Sequence, residues 1–383
     1  MKGAACNLLL PRRRFLRQTA LLGLPLWFSG GVVPVLRAFA SPADPVAGVV
    51  INVRTKGAAG DGHRDDTAPI QASIDALPLE GGTVLVPGGT YLIDTDRPLR
   101  LREGMHLELA SDAVLAAKPS TRNRFYVLLL DGVSDVEISG GRIRGERNRH
   151  QGTTGEWGYG IFVRGADRVH IHDIKVSECW GDGICIGGVS GKGIETRYST
   201  GVTLARVACT GNRRQGLTIG PARHVSVVDS EFSDTAGTRP ACGIDIEPDR
   251  PDTAQDIQIR NCVMRGNQGS GIQIYRNVSQ VTLQDCTIRG NAGYGVLVAG
   301  ARQALLTQNT ISDNGLTGAM LRGGADDCQV QGNAFANNAT RTLKRLLDGA
   351  RQASLKGVGG NTRDVQVMAD TQSITVSGNT FSG

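Results

Sequence analysis

Residues 257–298 read IQIRNCVMRGNQGSGIQIYRNVSQVTLQDCTIRGNAGYGVLV, and the segment repeats itself at an interval of 24. Ile257-Gln-Ile returns as Val281-Thr-Leu, and Asn261-Cys262 returns as Asp285-Cys286. Gly271-Ile272-Gln273-Ile274 returns as Gly295-Val296-Leu297-Val298. Each apolar-x-apolar unit is a short strand whose alternate residues leave on opposite faces. Several short strands in so small a period describe one winding of a β-solenoid, which buries its apolar side only by stacking on its neighbours.

The same two columns extend outward from this segment. Gly-headed strands also open at Gly160, Gly183, Gly216 and Gly243, so that the six are spaced by 23, 33, 27, 28 and 24 residues. The other column begins at Val136, Val169, Val202, Val225, Ile257 and Val281, then more weakly at Ala304, Cys328 and Ile374. Asp173, Asp229, Asn261, Asp285 and Asn309 are expected at equivalent places within it. The longer periods are basic coils with loops inserted at turns. A propeller would need blades of about 40–50 residues with four strands each. The solenoid fits and the propeller does not.

Charge and composition narrow the function classes. Met1 to Ala40 contains Lys2, Arg12, Arg13, Arg14, Arg17 and Arg37 and no acid; the other 343 residues balance 36 basic against 36 acidic side chains. The basic character therefore belongs to the first forty residues, and no nucleic-acid footprint remains. Arg12-Arg13-Arg14-Phe15-Leu16-Arg17, a broken apolar stretch from Thr19 to Leu36, and Ala38-Phe39-Ala40 read as a twin-arginine signal peptide with its cleavage site. Residues 1–40 are thus expected to engage the twin-arginine export machinery of a bacterium, leaving a periplasmic or secreted protein without a membrane span. Seven cysteines follow the leader, an odd number without C-x-x-C spacing, and they read as free structural thiols.

Residues 53–93 read VRTKGAAGDGHRDDTAPIQASIDALPLEGGTVLVPGGTYLI. With Gly104-Met-His-Leu-Glu-Leu-Ala and Val114-Leu-Ala-Ala after it, this stretch resembles the opening of the pectate-lyase-like superfamily, the rhamnogalacturonase and epimerase-like right-handed β-helices. The resemblance implies an all-β, single-stranded right-handed parallel β-helix over 41–383, with a short N-terminal capping helix. Residues 41–120 are expected to form the cap and first coils. Asp66 or Thr67 can cap the helix, Pro69 sits in its first turn, and Ile70, Ile74 and Leu77 form its apolar face. Asp61, Asp65 and Asp66 are assigned to turns and caps rather than to calcium, and no cofactor is indicated. Leu343, Leu346, Leu347 and Ala350 suggest a short amphipathic helix within an insertion at 340–370.

Candidate chemistry concentrates at Gly243-Ile244-Asp245-Ile246-Glu247-Pro248-Asp249. If Ile244 and Ile246 face in, Asp245 and Glu247 face out together, and adjacent acids repel unless they have a task. Gln273 and Tyr275 take the same two outward positions one coil on, with Arg276 following. Asp182 precedes Gly183, and Gln215 takes the matching place after Arg213 and Arg214. Arg164 shares the Glu247 column. Insertions at 145–159, 188–201, 233–241 and 248–255 flank these strands and can wall a groove. Trp157 and Trp180 offer stacking faces, and Asp249 adds an acid at the rim. His170, His172 and His224 fall in or beside the other strand column, away from this groove, so no metal site is expected.

Asp182, Asp245 and Glu247 are therefore the catalytic candidates. Gln215, Gln273, Tyr275, Arg276, Arg213, Arg214, Arg164, Trp180, Trp157 and Asp249 are the candidates for holding a polysaccharide. An inverting hydrolase needs carboxyl groups about 6.5–9.5 Å apart. Outward residues two apart on a strand have α-carbons roughly 6.6–6.8 Å apart, which suits Asp245 and Glu247. A lyase or epimerase acting on uronic acids needs a base and a neutraliser for the substrate carboxylate, a part open to Tyr275 and Arg276 beside Glu247. The chain lacks the Asn-Thr-Asp and Gly-His-Gly sets of polygalacturonases in the expected coils, and the Asp-Pro-His-Glu of alginate epimerases. The resemblance thus implies polysaccharide cleavage or modification as a class, with a non-catalytic binding or envelope scaffold as the alternative.

Overall fold

The computed structural model describes residues 48–191, 193–341 and 363–382. The expected leader and the expected amphipathic helix around Leu343 to Ala350 lie outside these residues.

The chain winds through three parallel sheets in turn. The first sheet has twelve strands, from Val50–Asn52 to Thr375–Ser377; the second has twelve, from Asp61–Asp65 to Thr380–Ser382. The third has ten, from Leu99–Arg100 to Val365–Val367. Each strand pairs with the equivalent strand of the windings before and after it, so sequence period becomes spatial register. Val225, Ile257, Val281 and Ala304 stack in the first sheet. Phe232, Met264, Ile288 and Ile311 stack in the second, and Ile244, Ile272, Val296 and Ala319 in the third. All twelve are buried and belong to one continuous core. A fully buried aliphatic side chain of this size contributes about 1.5–3 kcal/mol, repeated at every rung.

The corners are set by residues that tolerate a left-handed backbone. Asp173, Asp229, Asn261 and Asp285 take φ of 53°, 51°, 51° and 54° between the first and second sheets. These short polar side chains accept that conformation more readily than others. The next member of the column is Gln308, at φ 57°. Asn309, expected in this column, instead stands one residue later, in the column of Cys262 and Cys286. There its Oδ1 accepts from the Cys286 N–H at 2.9 Å, while its Nδ2 donates to Leu283 O at 2.9 Å and Asn333 Oδ1 at 2.8 Å. A second ladder, Asn267, Asn291, Asn314 and Asn338, runs inside the corner between the second and third sheets. The seven cysteines of the described residues are all free and buried, as structural thiols should be.

One α-helix, Thr67–Asp75, occurs among the described residues and packs against the first windings. Ile70 and Ile74 are fully buried and Leu77 nearly so. The expected cap is rearranged. Asp66 makes no side-chain cap bond; its carboxylate accepts from Ala59 N–H at 2.6 Å and Gly60 N–H at 3.0 Å. Asp65 Oδ1 instead accepts from Thr67 N–H at 3.0 Å and from its hydroxyl at 2.6 Å. Asp61 closes its own turn by accepting from His63 and Arg64 N–H.

The asparagine ladder makes a direct prediction. Asn291→Ala removes the acceptor for both the N–H and the Nδ2 of Asn267 and the donor to Met264 O. Each stranded buried group costs about 1–3 kcal/mol. Calorimetry should therefore show a clear fall in Tm with the fold retained; an unchanged Tm would mean that the ladder only follows the backbone.

Candidate active site

The sheet register brings the sequence candidates together on the outer face of the third sheet. Phe162, Cys185, Thr218, Asp245, Gln273 and Leu297 form one outward column. Asp182 and Gln215 stand before their glycines on adjacent windings, and Gln215 pairs in register with Cys242. Segments 145–156 and 234–241 lead into this sheet. The hairpin of Val189–Gly191 and Ile194–Arg197 and segment 247–253 lead away from it.

Asp245 leaves on the outer side of the sheet, between the core residues Ile244 and Ile246, as expected. It is not displayed in an open groove: Asp245 is 1% exposed, whereas Glu247 is exposed. Neighbouring polar side chains enclose its carboxyl. Gln215 Nε2 donates to Asp245 Oδ2 at 2.7 Å, and Gln215 Oε1 accepts from Cys242 N–H at 2.8 Å. Gln273 Nε2 approaches Cys242 Sγ at 2.9 Å. Gln215 is consequently a buried support for Asp245, and Gln273 is buried against Cys242 and Ser270, rather than either being displayed to a ligand, which corrects their expected role. Asp245 Oδ1 and Gln273 Oε1, on adjacent rungs, are both buried acceptors without a hydrogen-bond partner. A proton on Asp245 would make its carboxyl a donor in this buried setting.

Electrostatics favour the proton. Burial, and then the negative charge of Glu247, push Asp245 up to about 8, with Arg214 opposing. Burial raises Asp182 to about 6 against the pull of Arg214 and Thr218. Arg214 Nη1 lies 3.1 Å from Asp182 Oδ2, which also accepts from the Thr218 hydroxyl at 2.8 Å; Arg214 Nε lies 3.3 Å from Glu156. Burial and Asp249 raise Glu247, while Arg214 and Arg276 oppose. Burial, and then the charge of Glu247, raise the Tyr275 phenol, so it keeps its proton. Sequence reasoning missed Thr218 and Glu156. Thr218 was findable, since Gly216-Leu217-Thr218-Ile219 puts it in the Asp245 column.

The remaining candidates divide. Trp180 is no free platform: the Arg213 guanidinium lies 3.7 Å over its ring, and His150 stacks on it at 3.8 Å. Arg213 is further held by Gly155 O and Trp180 O, so both residues buttress the loop instead of receiving a ligand. Trp157 is 37% exposed, with Arg124 at 4.9 Å from its ring. Arg164 pairs with Asp131 at 2.9 Å and is separated from Glu247 by the windings of Gly187 and Gly220, both buried. Beyond Tyr275, a cleft of about 540 Å³ is lined by Arg250, Arg276 and Arg302.

The pH dependence of stability follows with a definite sign. Asp245 rises from an ordinary 3.8 to about 8 on folding, so across that window the folded chain holds a proton that the unfolded chain has released. Stability then falls as pH rises through the window. Asp245→Asn keeps an acceptor for Gln215 and removes this loss. Its Tm should exceed that of the wild type at about pH 8 and converge with it near about pH 4. A difference independent of pH would contradict the buried, protonated state.

Two family descriptions match the chain: "Right handed beta helix region" over residues 160–305 and 275–383, and "Rhamnogalacturonase A/epimerase, pectate lyase-like" over residues 50–127. Protein YclG of Bacillus subtilis is 30% identical over 53% of this chain, which spans 38% of YclG. Mannuronan C5-epimerase AlgE4 of Azotobacter vinelandii is 34% identical over 34% of this chain and 27% of its own length. The AlgE4 A-module superposes with a TM-score of 0.54 at 19% identity, over 87% of this chain and 96% of the module. PfbA, a surface adhesin of Streptococcus pneumoniae, superposes with a TM-score of 0.66 at 17% identity, over 87% of this chain and 90% of PfbA. The β-helix match spans more than half of the sequence, and the protein belongs to the right-handed β-helix family, with the pectate-lyase-like opening.

Proposed function

We propose that this protein cleaves an acidic polysaccharide lying along the outer face of the third sheet, outside the cytoplasm of a bacterium that exports it by the twin-arginine route. The observation that carries the reading is an exposed carboxylate, Glu247, on the strand end that follows buried Asp245, in the field of Arg276, which lines a cleft with Arg250 and Arg302. The likeness to a mannuronan epimerase supports a uronate-containing ligand.

Because Asp245 is enclosed, it does not flank a sugar opposite Glu247, and the inverting pair of carboxylates loses one member. The exposed set, Glu247, Tyr275 and Arg276, suits elimination better. Arg276 and Arg250 neutralise the carboxylates of the chain and acidify the carbon beside the bound one. Glu247, made more basic by burial and Asp249, takes the proton from that carbon. The electron pair forms a carbon–carbon double bond as the adjoining glycosidic C–O bond breaks. Tyr275, whose phenol is held protonated, gives its proton to the departing oxygen. Asp245 and Asp182 tune the charge beneath Glu247 without touching substrate.

Incubation with a panel of uronate and neutral polysaccharides should yield an unsaturated, ultraviolet-absorbing product from a uronate polymer. Glu247→Gln should lower turnover by roughly 100- to 10,000-fold while leaving polysaccharide retention intact. New reducing ends without ultraviolet absorbance would replace elimination by hydrolysis. Retention without any product would place the protein with non-catalytic binders, the reading favoured by its likeness to the PfbA adhesin.

A further inference from the structure

A second gathering of ionisable groups occupies the outer face of the first sheet, on earlier windings and away from Glu247. His106, Glu137 and His170 follow one another in register on successive rungs. His172 stands two residues beyond His170 on the same face, the two rings 4.4 Å apart. Glu137 Oε1 lies 2.8 Å from His172 Nε2 and 3.8 Å from His106 Nε2. One ligating atom from each of Glu137, His170 and His172 falls within 4.8 Å of the others.

The hydrogen bonding around His172 is directional. Its Nδ1 lies 2.6 Å from Asp173 Oδ2, and Asp173 is clamped by Arg206 through Nε and Nη2, each at 2.7 Å. A clamped carboxylate accepts, so Nδ1 carries the proton. In the neutral ring Nε2 then presents a lone pair to Glu137 Oε1, which is also an acceptor. Nε2 and Oε1, 2.8 Å apart, thus converge from adjacent windings as two atoms able to ligate one metal ion in the proton's place. Meanwhile His170 Nδ1 is buried without a partner.

We propose that Glu137, His170 and His172 bind a divalent transition-metal ion of the zinc type, with His106 or water completing the shell. Two or three imidazoles with one carboxylate suit zinc or cobalt, whereas calcium and magnesium take all-oxygen shells. The Arg206–Asp173–His172 chain is the outer support that orients a metal-ligating histidine and strengthens it as a donor. The ion joins the winding of Glu137 to that of His170 and His172, adding to the side-chain pairs already there. The expectation that these histidines serve no metal came from their distance from the groove, which has no bearing on a site of their own.

The test is titration of chelator-treated, tag-free protein with Zn²⁺, Co²⁺ and Ca²⁺. Zinc and cobalt should bind saturably at one ion per chain, cobalt with the visible absorption of a nitrogen-and-oxygen-ligated ion, and zinc should raise Tm. Calcium should do neither. His172→Ala should abolish saturable uptake, and Asp173→Asn should weaken it about 10- to 100-fold with unchanged circular dichroism. His224→Ala, whose ring pairs with Asp256 elsewhere on the sheet, should bind as the wild type does. Absence of saturable zinc uptake, or uptake indifferent to His172→Ala, would overturn the proposal.

Discussion

Everything in this molecule depends on the backbone ladder that fastens each winding to the next. Strands of successive coils lie about 4.8 Å apart, and that spacing turns residues some two dozen positions apart into neighbours. It aligns the aliphatic columns of the interior, and it also lines up what each coil carries outside. Asp182, Gln215, Asp245 and Gln273 come from four successive windings and form one interacting group for this reason alone. A side chain here is defined by rung and column more than by its sequence neighbours.

The same constraint makes the polar patch conspicuous. In the outward column of Asp245 the flanking windings carry Phe162 and Cys185 on one side and Leu297 and Met320 on the other. Apolar residues serve perfectly well there under covering loops. An acid in the middle of the column, with Asp182 beside it and one partly buried guanidinium between them, lowers stability relative to apolar packing of equal volume. Such a concession is understandable if the patch controls protons for a neighbour at the surface.

The period, the strand columns and the direction in which Asp245 leaves the sheet were legible in the chain, because they need only alternation and spacing. So were the capping helix and its buried face. The enclosure of Asp245 was not, since it depends on how far the long side chains of Gln215 and Gln273 reach between rungs. Trp180 looked like a platform because it lies close in sequence to the strands of the groove; His150, thirty residues earlier, stacks on its ring and Arg213 lies over it. Asn309 was misplaced by one residue because asparagine suits both a left-handed corner and the amide ladder beside it. Glu137 and His170 are 33 residues apart, and only the register of the first sheet makes them adjacent.

The corner amides also restrict how such a chain can change in length. Asn267, Asn291, Asn314 and Asn338 each rely on a counterpart one winding away, at intervals of 24, 23 and 24 residues. Deleting a few residues within a winding would carry one amide out of reach of the next and shift every strand beyond it. Excision or duplication of a complete winding leaves the pattern whole. Growth and loss are thus quantised, and smaller insertions survive only as bulges at the bends, where the loops around Glu247 are found.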